Sequence, residues 1–376
     1  MTVALLLGLV HAVTDLATVT AMVRATGLHT DTAGAVFAWF LVYDVLAFGG
    51  QPLIGLVADR LRAGPVVLAG LTLTGGAVGL ACLGSGESLA VGMAAVVVAG
   101  LGNAVTHVGA GVVVLRGDLT CATPAGLLVA PGALGLGLGL WFGRDAALGA
   151  TWWVAVPLTA AAVLVRHLHR TGLLDARDPR APSGTGERTM PAPGTVLVVV
   201  AVGLLLVSVA IRALVGASAA RGYAGGAWLA AGIPLAACAG KALGGVVADR
   251  LGWLRATVGA LLASLPLLGV QHSHPALLLV GLLVFQTTMP VTLVAVGRLL
   301  PERPGTAFGL PCAGLLVGSL PALLAWGAPM CVRAALAGWI ALSAAAVWAG
   351  LRLTGLRWRR RAPASADERV QVVVAP

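Results

Sequence analysis

Charge is scarce in this chain. Only 10% of its 376 residues are charged, 14 are acidic and 5% are aromatic, while 59% are apolar. With a mean hydropathy of +0.96, the polar residues are too few to cover a water-soluble fold, so lipid must be the solvent for most of the chain. The five cysteines (Cys82, Cys121, Cys238, Cys312, Cys331) are scattered without a Cys-x-x-Cys pair. That argues against a disulfide framework and against a thiolate metal site. No His-Glu-x-x-His, Gly-x-Ser-x-Gly or Walker-type phosphate loop occurs, so intramembrane hydrolysis and ATP-driven pumping lack a motif to carry them. The expectation is no enzyme, no cofactor and no metal.

What is present is a series of apolar runs of helix-spanning length. Alternating ten-residue segments, the mark of a membrane barrel, are missing. Spans are expected near 3–23, 33–57, 65–83, 89–115, 124–142 and 149–166, then near 195–215, 226–248, 256–271, 275–297, 305–325 and 331–351. The first run lacks a basic leader and carries His11 and Asp15, so it reads as a retained helix and not a signal peptide. The expected fold is therefore all-α, a polytopic membrane protein of twelve transmembrane helices in two six-helix halves, 1–168 and 195–351. A polar linker (169–194) joins them, and a basic, disordered tail (352–376) follows.

The net charge of +10 does not indicate nucleic acid, because the basic residues sit between apolar spans. If both termini are cytoplasmic, 18 of the 24 basic residues fall on the cytoplasmic side and four on the other, which fits the positive-inside rule. Trp141, Trp152 and Trp153 flank an outer connection at headgroup depth. Of the basic residues 23 are arginine and one, Lys241, is lysine, a bias pointing to a GC-rich bacterial genome and so to a bacterial inner membrane.

One stretch occurs twice. Gly55-Leu56-Val57-Ala58-Asp59-Arg60-Leu61 returns as Gly245-Val246-Val247-Ala248-Asp249-Arg250-Leu251, offset by 190 residues. Apolar matches mean little here, but Asp-Arg-Leu in register is improbable by chance in so acid-poor a chain, and duplication of this kind marks secondary transporters. The Gly-x-x-x-Asp-Arg signature between spans two and three, and again between eight and nine, resembles the major facilitator superfamily over nearly the whole chain. The first copy departs from that pattern with Arg62 where glycine is usual; Gly252 and Arg255 keep it in the second. The resemblance implies that Gly55, Asp59, Arg60, Gly245, Asp249 and Arg250 govern conformational switching, with a functional monomer as the unit. In physical terms, the glycines permit close helix approach, and the carboxylates can accept bonds at a helix N-terminus or pair with arginine. Gly126, Gly132, Gly135, Gly137 and Gly139 around Pro131 are similar in composition, though not in order, to a glycine-proline motif of drug antiporters. Tight helix packing is the expected role.

The resemblance places spans one, four, seven and ten around a central cavity, and most buried polarity falls there. His11 and Asp15 share a face of span one; Asn103 and His107 share a face of span four. Arg212 lies on span seven and Gln286, Thr287, Thr288 and Thr292 on span ten. An ionisable group at mid-membrane is costly unless paired or hydrated, so Asp15 is the expected proton carrier, with the histidines relaying or sensing the same proton. The bland reading of each histidine is a neutral ring bonded to a nearby carbonyl. His11, Asp15 and His107 are also locally similar to the fosmidomycin-resistance branch, with Val108 where a proline is common. Asp44 and Arg212 share a depth, which leaves open either an outer gate that pairs them when the outside closes or separate solvation in an outer vestibule. Lys241 is expected to snorkel or bond between helices, with a cavity cation for an anionic substrate as the alternative.

The expected function is proton-coupled secondary transport of a small molecule, with export of an amphiphilic compound first and metabolite uptake as the alternative. A non-transporting sensor or assembly protein is the reading from another class. Expected partners are the substrate, protons and the lipid bilayer.

Overall fold

The computed structural model describes residues 1–27, 33–83, 88–144, 151–175, 194–221, 227–269, 275–324 and 332–353. Twelve helical spans run through these residues. The first half comprises α1 (Thr2–Gly27); α2 (Ala33–Asp44), a π-helical turn (Val45–Gly49) and α3 (Gln51–Ala58) as one interrupted span; then α4 (Ala63–Leu83), α5 (Leu89–Leu115), α6 (Thr123–Arg144) and α7 (Ala155–Arg170). The second half comprises α8 (Thr195–Arg221), α9 (Ala227–Leu251), α10 (Trp253–Gly269), a broken span of α11 (Pro275–Gln286) and α12 (Met289–Leu299), α13 (Pro304–Leu324) and α14 (Val332–Leu353). Each expected span is found, with ends shifted by a few residues. Among the described residues, nine helices are individually long and apolar enough to cross a membrane.

Two spans are interrupted where proline withholds an amide. Pro52 follows the π-turn, in which the Gly50 amide donates five residues back to the Val45 carbonyl at 2.9 Å. Pro290 opens α12, and the Thr287–Thr288 turn separates it from α11. The expected linker begins later than its composition suggests. Helix α7 continues to Arg170, and a turn through Gly172, at φ +71°, leads to Asp175, whose carboxylate lies 3.4 Å from His169. The rest of the linker and the tail beyond Leu353 lie outside the described residues.

Leucine and valine residues such as Leu53, Val57, Val196 and Val199 face outwards. Association between helices therefore depends on close packing more than on water exclusion. The sequence provides for it with small residues. On α6, Gly132, Gly135, Gly139 and Gly143 form one stripe against α1, where added β-carbons would meet His11, Ala12, Val19 and Val23. Gly126 and Gly137, on another face of α6, meet the Lys241 carbonyl and Pro234 of α9. The glycines around Pro131 thus serve packing, as expected. The halves meet along two such seams, α6 on α9 and α3 on α13.

Because a β-carbon at Gly135 would run into the Ala12 backbone carbonyl, Gly135→Ala should destabilise the protein by about 1–3 kcal/mol. Gly203→Ala, with nothing within 4 Å of the added carbon, should leave stability within about 0.5 kcal/mol. Thermal unfolding of both variants in detergent micelles checks this.

Candidate functional site

Polar side chains gather at four places in this apolar bundle: one buried cluster in each half and two latches between the halves. The first cluster joins α1 and α5. Asp15, 7% exposed, lies 3.2 Å from His11 Nε2 through Oδ2 and 3.4 Å from His107 Nε2 through Oδ1. Asn103 Nδ2 donates to Asp15 Oδ1 at 2.7 Å and to Thr18 Oγ1 at 3.3 Å. Thr18 in turn pairs with the Tyr43 hydroxyl at 2.9 Å. The two imidazoles meet edge to face with centroids 3.9 Å apart. Four-residue spacing on each helix and the absence of a side chain at Gly132 make this approach possible; a β-carbon there would press on both His11 and Asp15.

Ring tautomers follow from the partners. His11 Nδ1 faces the Leu128 carbonyl at 3.0 Å and His107 Nδ1 faces the Asn103 carbonyl at 2.7 Å. A carbonyl only accepts, so each Nδ1 must donate. Each Nε2 then faces a carboxylate oxygen, and that contact needs its own proton, on the ring or on the carboxyl. Each of the two Nε2–carboxylate contacts therefore has one proton to place. The bland reading, a ring bonded to a carbonyl, describes only the Nδ1 side of each histidine. The three donor groups also lie within 4.8 Å of one another, a spacing a metal ion could bridge. The half-buried Lys241 of α9 stands within electrostatic range of Asp15 and both histidines.

The second cluster joins α8 to α12. Arg212, 7% exposed, donates through Nη1 to Thr288 Oγ1, through Nη2 to Thr292 Oγ1 at 2.8 Å and through Nε to the Ser208 carbonyl at 3.3 Å. Gln286 lines a cavity beside it. Asp44 makes no ion pair among the described residues, so the gate pairing with Arg212 is not formed in this state. Two hydroxyls on a neighbouring helix hold the guanidinium instead.

The repeated motifs form reciprocal latches. Asp59, from the first half, accepts from the Gly305 amide at 2.6 Å, the Thr306 amide at 3.3 Å and the Thr306 hydroxyl at 2.7 Å, at the start of α13. Asp249, from the second half, accepts from the Ala122 amide at 2.7 Å, the Thr123 amide at 2.9 Å and the Thr123 hydroxyl at 2.6 Å, at the start of α6. Each carboxylate caps the positive end of a helix belonging to the other half. Gly55 and Gly245 allow the approach, since β-carbons there would strike the Gly305 carbonyl and the Thr123 backbone. Arg60 is turned back to the Leu56 carbonyl at 2.6 Å and does not join the latch. Arg116 supports it instead, reaching the Asp59 carbonyl at 3.3 Å, and Trp253 donates to Asp249 at 3.2 Å with Arg298 stacked on its ring. Arg116, Thr123 and Thr306 are not singled out by the sequence, because nothing local marks them as partners of residues more than fifty positions away; Trp253, four residues after Asp249, shares its helical-turn spacing, a signal the sequence did offer.

Twelve spans in two similar halves, joined by reciprocal acid latches, make this the fold of the major facilitator superfamily transporters. The chain superimposes on the outward conformation of one such transporter, FucP, with a TM-score of 0.64 at 14% identity, over 94% of this chain and 98% of that one. It is similar to the human organic anion transporter MFSD10 (TETRAN), with a TM-score of 0.62 at 17% identity over 92% and 98% of the two chains. It is also similar to an outward-facing bacterial homologue of the iron transporter ferroportin, with a TM-score of 0.60 at 14% identity over 94% and 98%. No protein-family model and no curated protein matches the sequence.

Charge-assisted hydrogen bonds of this kind contribute about 1.5–3 kcal/mol each. Asp249→Asn should therefore shift the conformational balance about tenfold or more towards separation of α6 from α9 at the latch end, and Thr123→Val should shift it less. Spin-label distances across that seam, in full-length protein in nanodiscs, measure the shift.

Proposed function

We propose that this chain is a proton-coupled secondary active transporter that moves a small amphiphilic molecule by alternating access, with export as the favoured direction. The observation that carries the coupling is a buried carboxylate, Asp15, held between two imidazoles and an amide on α1 and α5. Buried ionisable groups in membrane spans are costly and mark ion pathways. Here the rings and the carboxylate offer two proton positions whose occupancy changes the net charge of the cluster. A change of charge beside Lys241 alters the energy of each arrangement of the halves, and that difference is what a coupled ion must supply.

The latches close one end of the bundle in this state. The excess of arginine on the connections at that end supports its assignment to the cytoplasm. The amphiphilic character of the cargo draws support from a cavity of about 520 Å³ between α6 and α9, lined by Leu136, Leu140, Trp141, Ile233 and Pro234 with Arg144 beside them. Local similarity of His11, Asp15 and His107 to the fosmidomycin-resistance branch agrees with export.

Everted vesicles holding a pH gradient test this reading against a panel of drugs, amino acids and organic acids. At least one compound should release protons with the wild type, and Asp15→Asn should lower that release about tenfold or more. Equal release from both proteins would remove Asp15 from the coupling role. Proton movement accompanying entry of the compound, in place of its exchange, would make the chain an uptake symporter, and silence across the whole panel would favour the non-transporting reading.

A further inference from the structure

We infer that the second half holds a binding site for the carboxylate of a small organic anion, centred on Arg212. This rests on the transporter reading above and adds the charge of the cargo. A guanidinium has five N–H donors and keeps its proton in proteins. Three of the five go to neutral acceptors: the hydroxyls of Thr288 and Thr292 and the Ser208 carbonyl. No carboxylate forms an ion pair with Arg212 among the described residues. The acids of the described second half, Asp249 and Glu302, sit at the latch end, where Asp249 is committed to α6. Arg212 is thus a buried cation with satisfied geometry, no counter-charge and donors to spare, a state that an entering anion would stabilise.

The surroundings fit that occupant. A cavity of about 160 Å³ adjoins Arg212 and is lined by Gln286, Phe285, Met289, Leu315 and Val209. That is room for one small aromatic acid. The Gln286 side chain makes no hydrogen bond among the described residues and lines the same space. Span ten breaks at this point: α11 ends at Gln286 and α12 begins at Met289. Pro290 interrupts the span here, and α12 begins beside the Thr288 hydroxyl that Arg212 holds. Phe285, Met289 and Leu315 supply the apolar wall that an organic body needs and a bare inorganic anion does not. The Asp15 cluster and the anion site then lie in opposite halves, so cargo and coupling ion are held by different helices.

Calorimetric titration of the full-length protein in detergent micelles with benzoate, benzamide and benzyltrimethylammonium tests the site. Benzoate should bind saturably and about tenfold or more tighter than its neutral isostere. Arg212→Gln should weaken benzoate about tenfold or more, Arg212→Lys should retain part of the affinity, and Gln286→Leu, which leaves the arginine–threonine contacts in place, should weaken it several-fold. Equal binding of benzoate and benzamide, preference for the cation, unchanged benzoate affinity in Arg212→Gln, or no benzoate binding to the wild type up to about 10 mM would each overturn the site. Benzoate binding through Arg212 without transport of any compound would leave this site standing and remove the transport reading. Proton flux confined to neutral or cationic compounds would do the reverse.

Discussion

Everything in this molecule depends on how a lipid-embedded chain satisfies the polar groups it cannot give to water. Asp15 and Arg212 are each almost fully buried, and each is surrounded by donors or acceptors from neighbouring helices. The two solutions differ. Asp15 is enclosed by two imidazoles and an amide, groups that carry or donate protons. Arg212 is enclosed by two hydroxyls and a carbonyl, which only accept from it. The first half thus buries an acid among bases and the second a cation among neutral acceptors.

Close helix approach makes both arrangements possible. The α6 glycine stripe brings α1 near enough for His11 to reach the Leu128 carbonyl, and the same stripe leaves the space that the His11–Asp15 pair occupies. At the latch end, glycine again precedes the chemistry: without Gly55 and Gly245 the two carboxylates could not reach the amides of α13 and α6. The duplication read from Asp-Arg-Leu is thus realised as an exchange, each half holding down a helix of the other.

Much of the architecture was legible in sequence because lipid imposes a simple rule of length and apolarity, and the spans obeyed it to within a few residues. The cluster around Asp15 was legible for a related reason: four-residue spacing on two helices admits few geometries. What the sequence could not reveal were contacts between distant segments. Asp59 with Thr306, Asp249 with Thr123 and Arg212 with Thr288 join residues whose local surroundings carry no mark of their partners. Lys241 likewise stands within electrostatic range of Asp15 because α9 packs along α6, a proximity that no local feature of α9 marks.

The single lysine has a practical consequence. It is the sole lysine among 24 basic residues, so amine-directed chemistry has one side-chain target in the whole protein, and that target is half-buried on α9. A small water-soluble acylating reagent applied from one face of the membrane modifies Lys241 to the extent that the residue is open to that face. The natural chain thus carries a built-in chemical reporter of its own exposure, readable as a single mass shift on one peptide without any engineered residue.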